Sequence, residues 1–124
     1  MRKTAVFLLL LTSLLGFAAP KVEVYYFHYT RRCTTCVAVE QQSQKFVQEL
    51  YGKQLKEGRI IFKGVNLDDK SNAALAQKCK ADGQALLVIS GGKRIDLTEQ
   101  GFMYATYKTE KLKEALKKAI DPLI

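Results

Sequence analysis

The sequence predicts an α/β domain with a mixed central sheet flanked by helices, in the order β-α-β-α-β-β-α. Three observations carry that reading. Runs rich in apolar, β-branched or aromatic residues recur at Val22 to Tyr29, Ile60 to Leu67 and Ala85 to Ile89. The segments between them place apolar residues at helical spacing, and strands alternating with helices define an α/β chain. A Ser90-Gly91-Gly92-Lys93 turn joins the third run to a short fourth strand, Arg94 to Leu97, as the two arms of a hairpin.

Taken in order, the first strand is nearly continuous in apolar character, which suits burial on both faces. Its following helix opens near Thr34. There Val39, Phe46, Val47, Leu50 and Leu55 recur at spacings of three, four and seven or so, the mark of an amphipathic helix. The pattern fades around Gly52 and ends by Gly58. After the second strand, Asp68 or Asp69 offers a cap for a helix carrying Ala73, Ala74, Leu75, Ala76 and Cys79, and Gly83 breaks it. Thr98 to Tyr107, beyond the hairpin, reads as irregular. Thr109 then caps a last helix with Leu112, Ala115, Leu116, Ala119 and Ile120 on one face. Strands separated by helices are expected to pair in parallel through right-handed crossovers, leaving the Gly-Gly hairpin as the antiparallel element.

The first residues stand apart from this domain. Met1-Arg2-Lys3 is a short basic region, Ala5 to Leu15 is apolar apart from Thr12 and Ser13, and Gly16-Phe17-Ala18 offers small residues for cleavage. That is the plan of a signal peptide over residues 1–18, with the cut after Ala18 and the domain over 19–124. The apolar stretch is too short to span a membrane, so no insertion is expected after cleavage. The expected location is the bacterial cell envelope, periplasmic or secreted. A chain of 124 residues that is 48% apolar supports one domain with its own core, and a monomer is expected.

The formal charge is +8 at pH 7, and cleavage removes the two positive charges of Arg2 and Lys3. The densest basic group (Lys108, Lys111, Lys113, Lys117 and Lys118) shares its helix with Glu110 and Glu114. A solvated helix face explains it, and no nucleic-acid partner is expected.

Export bears more directly on the cysteines. The chain has three, and two stand together in "YFHYTRRCTTC", at Cys33 and Cys36. In an oxidising compartment cysteines tend to pair, and an odd number leaves one to explain. A helix start presents unpaired backbone N–H groups and the positive end of the helix dipole. A thiolate placed there is stabilised and nucleophilic near neutral pH, and Arg31 and Arg32 add positive charge beside Cys33. Two intervening residues make one helical turn, which brings the sulfurs within disulfide reach and leaves Cys36 shielded. Cys33 is then the attacking sulfur and Cys36 the one that resolves a mixed disulfide. Two alternatives stand beside this redox dithiol: half of a metal site, and an inert disulfide. A loop that short constrains the unfolded chain little, so it makes a poor staple.

This element order, with Cys-x-x-Cys between the first strand and first helix, resembles the thioredoxin fold over nearly the whole mature chain. The resemblance implies a thiol–disulfide oxidoreductase with Cys33 attacking and Cys36 resolving. Its substrates would be thiols or disulfides of an exported partner protein, and no cofactor is expected. Three positions depart from the family. Phe27 stands six before the nucleophile, where thioredoxins carry a buried acid. Arg32 fills the slot of a tryptophan. Ala85 fills the slot of the cis-proline that faces the dithiol, and is expected trans because a non-proline cis bond costs roughly 3 kcal/mol. Together they imply service to one partner rather than general disulfide turnover. The shorter pattern "YYFHYTRRCTTC" is also similar to small exported thioredoxin-like proteins of bacteria, in a family named as a nitrophenyl-compound nitroreductase subunit; nothing in the sequence looks like a flavin site.

Two further residues bear on the choice. His28, the single histidine, points away from the face of Phe27 on strand alternation. It is expected to pack against a helix or at the strand end, with a general base or third metal ligand as the sharper alternative. Cys79 is expected to be an inert buried thiol, the alternative being a third functional sulfur near Cys33. Three hypotheses follow: an oxidoreductase, a module carrying copper, zinc or arsenic on Cys33, Cys36 and Cys79 or His28, and a degenerate domain that only binds a partner.

Overall fold

Extended, β-branched and aromatic runs assemble into one mixed sheet of four strands flanked by helices. A computed structural model describes residues 19–124, so the expected signal peptide lies outside the described residues. The elements are β1 (Val22–His28), α1 (Thr34–Lys56), β2 (Ile60–Asn66), a 3-10 turn (Lys70–Asn72), α2 (Ala73–Lys78), β3 (Ala85–Ser90), β4 (Lys93–Asp96), α3 (Thr98–Tyr104), α4 (Thr109–Ile120) and a closing 3-10 turn (Asp121–Leu123). The strand order is β2-β1-β3-β4, with β1 and β2 parallel and β3 antiparallel to both β1 and β4.

Strand alternation sorts β1 between two apolar layers. Val22, Val24 and Tyr26 join Leu86 and Val88 of β3 beneath α1, α3 and α4, where Val39, Val47, Leu112 and Leu116 close the layer. Tyr25 and Phe27 point the other way, to Val65, Ala85, Leu87 and Cys79, with Leu75 and Ala76 of α2 over them. Each fully buried Leu or Phe here contributes on the order of 2–3 kcal/mol of apolar transfer. Among the described residues no helix is long and apolar enough to cross a membrane.

Four local expectations are corrected. The chain between β2 and β3 does not return for parallel pairing, because α2 is only six residues. Such a helix spans about 9 Å, against about 23 Å for a seven-residue strand, so β3 starts at the sheet end where β2 stopped and runs antiparallel. The stretch expected to be irregular contains α3. Asp96 Oδ1 accepts the Thr98 N–H at 2.9 Å at its start, and Gly101, which weakens the helical signal, is required by packing: a Cβ there would sit 3.1 Å from Val39 Cγ1 and 3.3 Å from Leu86 Cδ2. Thr109 is the first residue of α4 rather than its cap, which falls to Lys108 in a left-handed conformation (φ 56°). The break after α2 comes at Lys80 (φ 57°), before Gly83, so Cys79 is the C-cap of that helix.

Helix α1 runs through Gly52 but kinks at Tyr51 (φ −131°, ψ 32°). The buried Tyr51 hydroxyl donates to Asp121 Oδ1 at 2.6 Å, and Lys117 Nζ reaches the other carboxylate oxygen at 2.6 Å. The Lys117 ammonium, then the Tyr51 hydroxyl, hold the Asp121 carboxyl below its ordinary value. We expect Tyr51→Phe to lose about 1 kcal/mol of stability in urea titrations at pH 7. Because the folded carboxyl titrates below the unfolded one, this advantage is in place above about pH 4 and fades as acid protonates Asp121. A wild-type-minus-variant difference that stays constant down to pH 2 contradicts the assignment.

Candidate functional site

Between β1 and α1 the chain turns through residues 29–33. The register that places His28 beside Asn66 brings this turn against the loop after β2. Thr30 N–H donates to Asp68 Oδ2 at 2.7 Å, Asn66 Nδ2 donates to Thr30 Oγ1 at 2.9 Å, and the Asp68 N–H donates to Asn66 Oδ1 at 2.9 Å. Position 33 is thus fixed from both sides, by this network and by the helix it opens.

Cys33 is the N-cap of α1, with extended backbone, and its sulfur accepts the N–H of Cys36 at 3.0 Å. The two cysteines form a disulfide, with Cα atoms 5.0 Å apart. Cys33 is exposed whereas Cys36 is 3% exposed. Acceptance of a backbone N–H at a helix start favours negative charge on the Cys33 sulfur, and the dipole adds to it. Reduction of this disulfide can therefore leave an accessible thiolate at one sulfur and a shielded thiol at the other.

Arg32 does not lie free beside Cys33. Its guanidinium pairs with Glu40 of α1 and sits over the Tyr26 ring, 6.0 Å from the centroid, while its buried Nε–H has no acceptor. Tyr26 is fully buried, and its hydroxyl donates to Gln84 Oε1 at 3.2 Å. Burial pushes its pKa up to about 12, against an opposing pull from Arg32. Ala85 pairs with Phe27 and is buried; no peptide bond among the described residues is cis, so Ala85 is trans. Phe27 has no exposed surface and belongs to the layer away from α1.

His28 stacks on Tyr26 with ring centroids 6.0 Å apart. Its Nδ1 lies 3.0 Å from the Tyr29 carbonyl oxygen. Cys79 is not brought to the pair. It sits in the opposite layer beside Tyr25, which is three residues and about 10 Å along the strand from His28. Burial, then the charge of Glu23, pushes the Cys79 thiol up. No group of three His, Cys, Asp or Glu side chains suited to a metal ion occurs among the described residues.

The sequence singles out neither Glu40 and Gly64 nor Gln84, and it marks Tyr26 only as a packing residue of the first strand. Gly64 carried a signal, since glycine inside a strand marks close approach of another group. A Cβ there would fall on Glu40 Oε2.

No family model and no curated protein matches the chain. Among solved structures, one described as "Structure of a malarial protein" is 24% identical, covering 68% of this chain and 92% of its own, with a TM-score of 0.44. A likeness at that level carries no argument about family or activity, and neither resemblance drawn from the sequence rests on it. The protein is an α/β domain with a mixed sheet and a Cys-x-x-Cys pair, within disulfide distance, at the start of a helix.

The three sulfurs should differ in reactivity. In the reduced protein at pH 7, iodoacetamide followed by peptide mass mapping is expected to label Cys33 more than tenfold faster than Cys36, by thiolate content and access. Cys79 is expected to label only in denaturant. Equal labelling of all three in the folded protein contradicts this geometry.

Proposed function

We propose that the chain is an exported thiol–disulfide oxidoreductase of thioredoxin-like fold, cycling Cys33 and Cys36 between dithiol and disulfide. One observation carries the reading: an exposed sulfur capping a helix, 3.0 Å from a backbone N–H, and bonded to a buried partner one turn on. The strand order β2-β1-β3-β4, with Cys33 at the junction of β1 and α1 and Cys36 in the first turn of α1, supports the thioredoxin-like assignment.

In the reducing direction the Cys33 thiolate attacks one sulfur of a partner's disulfide. A Cys33–partner disulfide forms, and the partner's other sulfur leaves as a thiolate that takes up a proton. Cys36 then loses its proton and attacks the Cys33 sulfur, which forms the intramolecular disulfide and releases the partner's remaining sulfur as a second thiolate. Two electrons pass from the dithiol to the partner. A second dithiol, protein or low-mass, restores the reduced pair by the same exchange, and the sequence run backwards oxidises a partner.

The surroundings support a restricted clientele. Ala85 stands where the family's cis-proline would dock a substrate backbone, and the hydroxyl of the exposed Tyr29 lies beside Gly83 in the loop before it. Separation of Cys79 from the pair removes the third sulfur that a soft-metal site would use. With dithiothreitol as reductant, the wild type is expected to accelerate insulin reduction and Cys33→Ser to fall to background. Cys36→Ser is expected to accumulate a mixed disulfide, visible by mass. A wild type no faster than buffer would sink the enzymatic reading and leave a closed disulfide in a partner-binding domain.

A further inference from the structure

Arg32 precedes the exposed sulfur directly, and an unpaired guanidinium there would pull hard on a thiolate. Instead it is held. Its partner Glu40 lies one turn beyond Cys36 on the same helix face, and the two side chains are only 24% and 23% exposed. The carboxylate occupies space that exists because residue 64 of β2 is glycine: a Cβ there would lie 1.9 Å from Glu40 Oε2. The guanidinium is seated on the buried Tyr26 ring, whose hydroxyl is anchored to Gln84. Helix, two strands and the loop before β3 thus cooperate to position one cation.

We propose that Glu40 is a positioning residue that tethers Arg32, and that this tether sets the acidity of Cys33 in the reduced protein. The inference rests on the redox reading of the pair. The charged and titratable groups linked to the turn that carries Cys33 are Tyr26 and His28 from β1, Arg31 and Arg32 from the turn itself, Glu40 from α1, and Asp68 from the loop after β2. Asp68 is engaged by the Thr30 N–H and Arg32 by Glu40. Releasing Arg32 frees a full positive charge beside the thiolate, while its loss leaves Glu40 uncompensated. Acidity at Cys33 then falls along the series from released Arg32, through tethered Arg32, to no Arg32.

Thiolate absorbance of the reduced protein, followed against pH in a Cys79→Ser background, tests this. Glu40→Gln is expected to lower the Cys33 titration midpoint by about one pH unit, the size of a nearby charge's effect, so about tenfold more thiolate is present below it. Arg32→Gln is expected to raise the midpoint. In the Arg32→Gln background, Glu40→Gln is expected to shift it by less than half as much, because the tether then has nothing to hold. An unmoved midpoint in Glu40→Gln, or an equal shift in both backgrounds, overturns the proposal. If Glu40→Gln loses its cooperative melt, Glu40→Ala decides instead, since it removes the carboxylate without leaving an amide in its place: a lowered midpoint supports the tether and an unmoved one overturns it. Insulin reduction by the wild type separates the two readings. Activity with an unmoved midpoint removes the tether alone, and a shifted midpoint without activity removes the oxidoreductase alone.

Discussion

Everything proposed for this protein depends on the contact between a backbone N–H and a sulfur at the start of α1. Cys36 donates to Cys33 Sγ at 3.0 Å, a bond a helix N-cap makes with any good acceptor. With serine or threonine at position 33 the same geometry would be an ordinary cap. With cysteine the acceptor is also a nucleophile, and the groups that stabilise the helix end stabilise the anion. Cys33 caps the helix at the surface, whereas Cys36, one turn on, is 3% exposed while Thr34 and Thr35 between them are not buried. The accessible and shielded roles follow from the cap together with the side of the helix that position 36 occupies.

The rest of the site keeps that cap in register. Pairing of β1 with β2 brings Thr30 against Asn66 and Asp68, so the chain enters α1 from a fixed direction. On the other side Tyr26, fully buried, supports Arg32 from below. The position where the resembled family carries a buried acid points into the opposite layer and holds Phe27. Acidity near the pair is supplied by Glu40, which reaches in from the helix and is already matched with a cation. Compensation of one charge by another, rather than an isolated buried acid, is the electrostatic plan here, and it avoids the desolvation cost of a lone carboxylate.

Much of this was legible in the sequence, for reasons that also explain what was not. Local signals read well: the apolar runs of β1, β2 and β3, the period of α1, the Gly91-Gly92 hairpin and the placement of Cys33 at a strand-to-helix junction each depend on residues close in the chain. Features set by contact between distant segments were missed. The direction of β3 is decided by the reach of α2, not by the pattern of either. Helix α3 was hidden by Gly101, which is there for Val39 and Leu86 rather than for its own helix. Glu40 looks like a surface acid until Gly64, on a separate strand, opens the space it fills.

The same topology also decides which cysteines meet. Three cysteines allow three pairings, and only one joins residues separated by a single turn. Cys33 and Cys36 share the turn that opens α1, whereas Cys79 closes α2 in the layer across the sheet. Exchange needs a thiolate and an approach path. Cys79 has neither in the folded state, since it is 3% exposed and burial raises its thiol above the ordinary range. A sheet interposed between two thiol environments thus lets an odd cysteine coexist with a reactive pair. Access to that third sulfur requires opening of the apolar layer it shares with Tyr25, Phe27 and Leu87, so the fidelity of the pairing is a property of the core rather than of the cysteines themselves.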